Sequence, residues 1–221
     1  MAAQTRAKIV DAAEMLLARE GWANVSVRAI AGQAKVNLSA ISYHFGSFKA
    51  LRTEVLARRL IPLNEERRHN LVELQKRKAK PSLEEILQAY LDPLLKLSSS
   101  SDAGARAFLL VLVRNSIEPS EEYLSIVGNE LVRHAGAFVE AVQQVVPGVS
   151  GEEIKDRFRF AIGAVSRALA TPTSRRLGWQ AEPVQHLLAF LIAGFNAPAT
   201  TPAAAAARRQ RRAGSRPGAA S

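Results

Sequence analysis

Apolar residues recur at helical spacing along most of the chain, and nowhere do they alternate as a half-buried strand requires. Ile9, Ala13, Leu16 and Leu17 mark the inward face of a first helix, Thr5 to Glu20, and Gly21 ends it as glycine beyond a helix often does. Trp22 and Val25 then read as an apolar plug in a short link. Val27, Ile30, Ala31 and Ala34 form the stripe of a short second helix with Ser26 as its N-cap. Lys35-Val36-Asn37 is a turn, and Asn37 is expected to cap a third helix, Leu38 to His44. On that helix Leu38, Ile41 and Phe45 share one side. Ser39, Ala40, Tyr43 and His44 share the other, with Ser42 at the edge.

The rest is longer helices. Ser47 is expected to cap a fourth that continues past Leu60, with Pro62 kinking or breaking it. Ser82 and Glu85 have capping-box spacing ahead of a fifth, which runs to about Leu97 with Pro93 bending its end. Asp102 caps a sixth to about Asn115, apolar on all sides over residues 108–113 and hence central in a bundle. A seventh is predicted to run unbroken from Glu121-Glu122 through Leu131 and Phe138 to Pro147-Gly148. Ser150 and Glu153 suggest a second capping box, for an eighth helix over 150–171. The ninth runs from Val184 to Phe195. The predicted fold class is therefore all-α. An N-terminal three-helix, helix-turn-helix unit covers 1–50, and a larger helical domain covers 51–196. Residues 197–221, rich in Ala, Pro and Arg, have too little apolar bulk to bury and are expected to be a disordered basic tail.

Charge changes this picture only modestly. The net charge is +10, which favours a polyanionic partner. The tail holds five arginines and no acid, and residues 1–50 hold six basic and three acidic residues, so the hairpin is only mildly basic. The hairpin itself is the stronger argument: one face anchors, and the other carries small and hydrogen-bonding side chains that can approach base edges. There is no cysteine, which excludes disulfides, thiol catalysis and cysteine-ligated zinc. The start of the chain has no secretory pattern and no stretch reads as a membrane span, so a cytoplasmic protein is expected.

The hairpin residues resemble the tetracycline-repressor (TetR) family of transcriptional regulators. The likeness covers residues 5–55 and rests on Ile9, Ala12, Ala13, Leu17, Glu20 and Gly21, on Ser26-Val27-Arg28-Ala29-Ile30-Ala31, and on Ala34-Lys35-Val36-Asn37. It continues in Ser42-Tyr43-His44-Phe45-Gly46-Ser47 with Lys49-Ala50-Leu51. The resemblance implies that Arg28, Tyr43, His44 and Lys49 hold phosphates and that Asn37, Ser39 and Ala40 lie nearest base edges. Ser26 would serve both cap and phosphate. It further implies a homodimer formed by the last two helices, an inverted-repeat operator in double-stranded DNA, and a small-molecule effector in a pocket among the fourth to seventh helices. For that pocket the candidates are Leu87, Tyr90, Leu91, Leu94, Phe108, Leu112 and Phe138. Arg106, Arg114 or Arg133 would meet an acidic head group. The finer likeness of residues 37–47 is to fatty-acid-responsive repressors, which names a fatty acid or acyl thioester as effector.

Enzymatic chemistry has little to stand on. His44, His69, His134 and His186 fall on four different predicted helices without an i, i+4 partner, and no nucleophile elbow or phosphate-cradling loop occurs. No catalytic residue, metal ligand or cofactor is therefore assigned. The rivals to a ligand-responsive repressor are a regulator without a ligand, a general DNA-coating protein and an enzyme on a helical scaffold.

Overall fold

The computed structural model describes residues 2–21, 24–117, 119–130, 136–170 and 184–200. These form ten α-helices and, among the described residues, no strand. Trp22 lies outside them, as do residues 201–221, which are all but the first four residues of the expected disordered tail.

The first three helices are α1 (Ala2–Glu20), α2 (Val27–Ala34) and α3 (Leu38–Phe45). Ile9, Ala13, Leu17, Ile30 and Ile41 close their shared core, each at most 2% exposed. The Ser26 Oγ accepts the Ala29 N–H at 3.1 Å, as its N-cap position requires. Lys35 then turns the chain with φ 55°, the left-handed conformation. Two expectations fail here. Asn37 makes no side-chain cap; its carbonyl alone starts α3, accepting from the Ala40 N–H at 2.9 Å. Leu38 is 45% exposed and does not anchor. It sits about 60° round the helix from Ile41, and in so short a helix Ile41 is the residue that reaches full burial.

Gly46, at φ 71°, makes the sharp exit that a side chain would resist. Ser47 then caps α4 (Phe48–Gln75), accepting from the Ala50 N–H at 3.1 Å. Pro62 does not break α4. Its missing N–H frees the carbonyl of Arg58, and both residues face solvent, where water replaces the bond. In α5 (Leu83–Ser99) the capping box forms fully, but Pro93 is buried. The carbonyl it frees is that of Ala89, four residues back. Asn70 of α4 donates its side-chain amide to that oxygen at 3.3 Å, and Arg67 donates Nε to the neighbouring Tyr90 oxygen at 2.8 Å. The proline is thus tolerated because α4, which packs most extensively against α5, brings polar groups to the gap.

The remaining helices are α6 (Ala103–Ile117), α7 (Glu121–Glu130), α8 (Gly136–Val145), α9 (Gly151–Ala170) and α10 (Val184–Asn196). Helices α7 and α8 occupy the span predicted as one helix, and residues 131–135 between them lie outside the description. As expected from its apolar circumference, α6 buries Phe108, Leu109, Val111 and Leu112. An aromatic series crosses the larger domain: Tyr90 against Phe138 (5.0 Å between ring centres) and Phe158 (4.7 Å), and Phe158 against Phe195 (4.9 Å).

The helical domain extends past Asn196. Ala199 is buried, and the Thr200 N–H and hydroxyl both donate to Glu153. Glu153 also holds Arg157 at 2.7 Å, so its carboxylate is engaged there rather than in a reciprocal box with Ser150. The Ser150 Oγ still accepts from the Glu153 N–H. Truncation after Asn196 should therefore cost about 1–2 kcal/mol relative to truncation after Thr200, the worth of the lost hydrogen bonds to a charged group. Urea denaturation of the two truncated proteins measures this, and equal midpoints would mean that residues 197–200 contribute nothing.

Candidate nucleic-acid interface

The eight candidate DNA-contacting residues all lie on α2, α3 and the start of α4, and none belongs to the core. Ser26, Arg28, Asn37, Ser39, Tyr43 and Lys49 are exposed; Ala40 and His44 are half-buried. Burial of Ile30, Ala31, Ala34 and Ile41 turns the opposite faces of α2 and α3 outward, so the outward polar surface follows from the apolar stripe. Tyr43 is 83% exposed, held at its base by an edge-on contact with the His44 ring (5.1 Å). An aromatic phenol so far from any apolar cover is poised for an external partner. Lys35, absent from the candidates, is also exposed; its place in the left-handed turn between the helices was the available signal.

Lys49 reaches Glu121 of α7 at 3.4 Å, and both side chains are exposed. Such a pair is weak and yields readily to a phosphate. Beyond this pair, one ion pair ties α4 to α7 and two sets of contacts hold α1 to the larger domain. Arg52 pairs with the buried Glu122 of α7 at 3.3 Å. Arg59 grips Glu14 of α1 with two bonds, 2.8 and 2.9 Å, and reaches Asp102 at 2.8 Å. Arg114 of α6 donates to the carbonyls of Ala18 and Arg19, capping the C-terminus of α1. A Cβ on Gly104 would sit 2.7 Å from Arg59 Nη2 and inside contact distance of Glu14, so a larger residue there would push the ends of both side chains aside.

These contacts correct the arginine expectation. Arg114 caps α1, and Arg106 is exposed and donates to the Ser100 carbonyl. Arg106 falls off the buried arc of α6, which includes Ala105, Ala107, Phe108, Leu109, Val111, Leu112 and Asn115, and Arg114 lies at its edge. Arg133 lies outside the described residues. Among the described residues the buried arginines are Arg67 and Arg157 instead. All seven candidate pocket residues, Leu87, Tyr90, Leu91, Leu94, Phe108, Leu112 and Phe138, are buried members of the core. Of these, Leu91 also borders a cleft of about 140 Å³ between α5, α9 and α10.

His44 and His69 stand on different helices, His186 on a third, and His134 lies outside the description. Among the described residues no group of three acidic or imidazole side chains could hold a metal, and no helix is long and apolar enough to cross a membrane.

Comparison with known proteins covers both parts of the chain. Residues 9–55 match the family model for bacterial regulatory proteins of the tetR family, and residues 88–194 match that for the tetracyclin repressor-like C-terminal domain. No curated protein matches. Among solved structures, NalD of Pseudomonas aeruginosa, the secondary repressor of the MexAB-OprM multidrug efflux pump, is similar at 23% identity with a TM-score of 0.55, over 87% of this chain and 96% of that one. SCO7518 of Streptomyces coelicolor A3(2) is similar at 20% identity with a TM-score of 0.51, over 90% and 99%. At these identities the solved structures establish a shared fold.

Proposed function

The chain belongs to the TetR family of bacterial transcriptional regulators, and we propose from that premise that it is a homodimeric repressor released from an inverted-repeat operator by a small organic effector. As a member of that family it is a regulator and not an enzyme. The observation that carries the proposal is the outward polar face of α2, α3 and the start of α4, with Tyr43 standing clear of the protein. In this reading α3 enters the major groove, Ser39 and Ala40 meet base edges with Asn37, and Tyr43, His44, Arg28, Ser26 and Lys49 hold the backbone.

Dimerisation through α9 and α10 is supported by the surfaces of those helices. Phe160 and Phe190 are 73% and 68% exposed. Each is flanked at helical spacing by small residues: Gly163, Ala164 and Ala168 beside Phe160, and Ala193 and Gly194 beside Phe190. A Cβ added at Gly163 or Gly194 would meet nothing within 4 Å in the monomer, so nothing in the monomer requires glycine there. Small residues on both helices suit close approach by a symmetry mate.

Selection of bound sequences from random DNA with the purified protein tests the proposal. It should enrich an inverted repeat with half-site centres a whole number of turns apart, about 34–36 Å each. Enrichment of a site lacking dyad symmetry would overturn it. On that operator Tyr43→Ala and Lys49→Ala should weaken all sequences alike, with the salt dependence of binding reduced by about one for the lost lysine. Ser39 and Ala40 substitutions should instead shift the preferred bases. Gel-shift titration against matched and mismatched sites separates the two.

The branch likeness keeps a fatty acid or acyl thioester as the effector to try first. The close packing of the seven pocket candidates favours the rival of a regulator without a ligand, and native mass spectrometry of the purified dimer decides between them.

A further inference from the structure

The end of α4 opposite the reading head of α1–α3 leads into a turn that carries Lys76, Arg77, Lys78 and Lys80, all exposed. Lys76 pairs with Glu73 at 2.7 Å and Arg77 with Glu85 at 2.9 Å, each between solvent-accessible side chains and so weak. Lys80 donates Nζ to the Gln144 carbonyl at 2.8 Å, at the C-terminal end of α8. Lys78 has no hydrogen-bond or ion-pair partner among the described residues. Helix C-termini favour a nearby cation, and α4 and α8 account in this way for Lys76 and Lys80. They do not account for Lys78, nor for the hollow of about 250 Å³ that Arg77, Lys78 and Lys80 line together with Gln75 and Gln144. No acidic residue lines that hollow, so its charge is suited to an anion.

The chain leaves the described fold at the same pole. Lys80 is tied to Gln144, and the neighbouring Gln143 lies 3.4 Å from where a Cβ on Gly151 would stand. Two residues further, Glu153 holds Thr200. Beyond Thr200 the sequence carries Arg208, Arg209, Arg211, Arg212 and Arg216 and no acid. Arg208 is eight residues past Thr200, a stretch that spans at most about 28 Å. The reading head lies at the other end of α4, whose 28 residues measure about 42 Å. Two runs of cations therefore start from the pole opposite α3.

The composition of this pole selects its partner. Residues 75–81 and 201–221 contain no aromatic residue and no Leu, Ile, Val or Met. They lack the side chains that membrane insertion, a protein pocket or stacking on unpaired bases requires. What they offer is charge for a backbone of regularly spaced phosphates. We propose that this pole is a second, sequence-independent surface for duplex DNA, so that a dimer seated on its operator captures a second duplex at its opposite end. The inference rests on the operator-binding reading above and adds a partner to it. Two-fold symmetry that sets both reading heads on one duplex sets both distal turns on the far side. A phosphate entering the hollow meets Lys78 and displaces the exposed Arg77–Glu85 pair.

Bead-bound operator, saturated with the full-length protein and washed, is offered a labelled duplex of unrelated sequence. The beads should capture it at low salt and release it steeply as salt rises. Lys76→Gln, Arg77→Gln, Lys78→Gln and Lys80→Gln combined should lower the logarithmic salt slope of capture by about 3–4 and weaken capture about tenfold or more. Operator affinity should stay as in the wild type. Lys78→Gln alone, which has no partner to lose, should lower the slope by about one. Replacing the arginines beyond Thr200 by glutamine in the full chain should weaken capture further. No capture by protein that binds its operator normally overturns the proposal, as does capture unchanged in both the combined variant and Lys78→Gln. So does a Lys78→Gln protein that loses operator and second duplex alike, or tighter retention of duplex RNA or phosphatidylglycerol vesicles than of the labelled DNA. Beads carrying a duplex without the operator read the parent proposal separately. Equal retention on both duplexes, with capture still dependent on the four cations, would refute the repressor and keep this surface.

Discussion

Arg59→Met lowers the folding stability by about 3–5 kcal/mol, the cost of leaving a buried carboxylate without its partner. The carboxylate is that of Glu14, whose side chain is 1% exposed and which holds Arg59 through both oxygens. Methionine fills much of the same space, so the loss reports the stranded charge and not a cavity. A second substitution that removes the charge, Glu14→Leu, should recover most of the loss, because an apolar pair of similar volume is tolerated where half an ion pair is not. Urea denaturation of the two single variants and the double variant forms the cycle, and a double variant no more stable than Arg59→Met would show that the charge is not the cause. Asp102 adds an acid dependence. Burial pushes its carboxyl up, but Arg59 and the N–H groups of Gly104 and Ala105 outweigh that and hold it below the usual range. Its contribution is therefore present above the ordinary carboxylate pKa and is lost as pH falls through the lower, folded value.

Phe160→Glu has the second large effect, on assembly. Across a two-fold interface one substitution counts twice. An aromatic anchor contributes about 2 kcal/mol or more, so the dimer should weaken about a thousandfold, with added cost for the buried acids. Operator affinity should fall with it, since a single reading head contacts half a site. Leu124→Glu is the matched control: Leu124 is 55% exposed on α7, which packs chiefly against α4, and its change should leave the dimer whole. Sedimentation of the three proteins decides. A Phe160→Glu dimer as tight as the wild type would move the interface elsewhere.

Helix starts were readable from sequence where a side chain does local work. Ser26, Ser47 and Ser82 each bind the N–H group three residues ahead, a relation contained within one turn. Asn37 carried the same local signal and failed, because its backbone alone opens α3. The long-range polar contacts were not readable in this way. Whether Arg67 or Arg106 is buried depends on which neighbour covers α4 and α6, and periodicity within one helix does not contain that. One clue was present at Glu14: an acid between Ala13 and Leu17 on the inward face of α1 demands a cation from elsewhere. The candidate DNA-contacting residues were legible as a set because their exposure follows from the apolar stripes of α2 and α3. Leu38 departs from the expected anchor because a two-turn helix has too few residues for its edge to be buried.

The glycine beside the Arg59 cluster has a consequence for how such a sequence can change over generations. Glu14, Arg59 and Gly104 are far apart in the chain but share one space, so a side chain at position 104 displaces the ends of the other two. Relatives that keep the acid and the guanidinium should keep glycine at the entrance of α6. Those in which both charged residues have become apolar are released to carry a side chain there, and the three positions should then covary as a unit across the family.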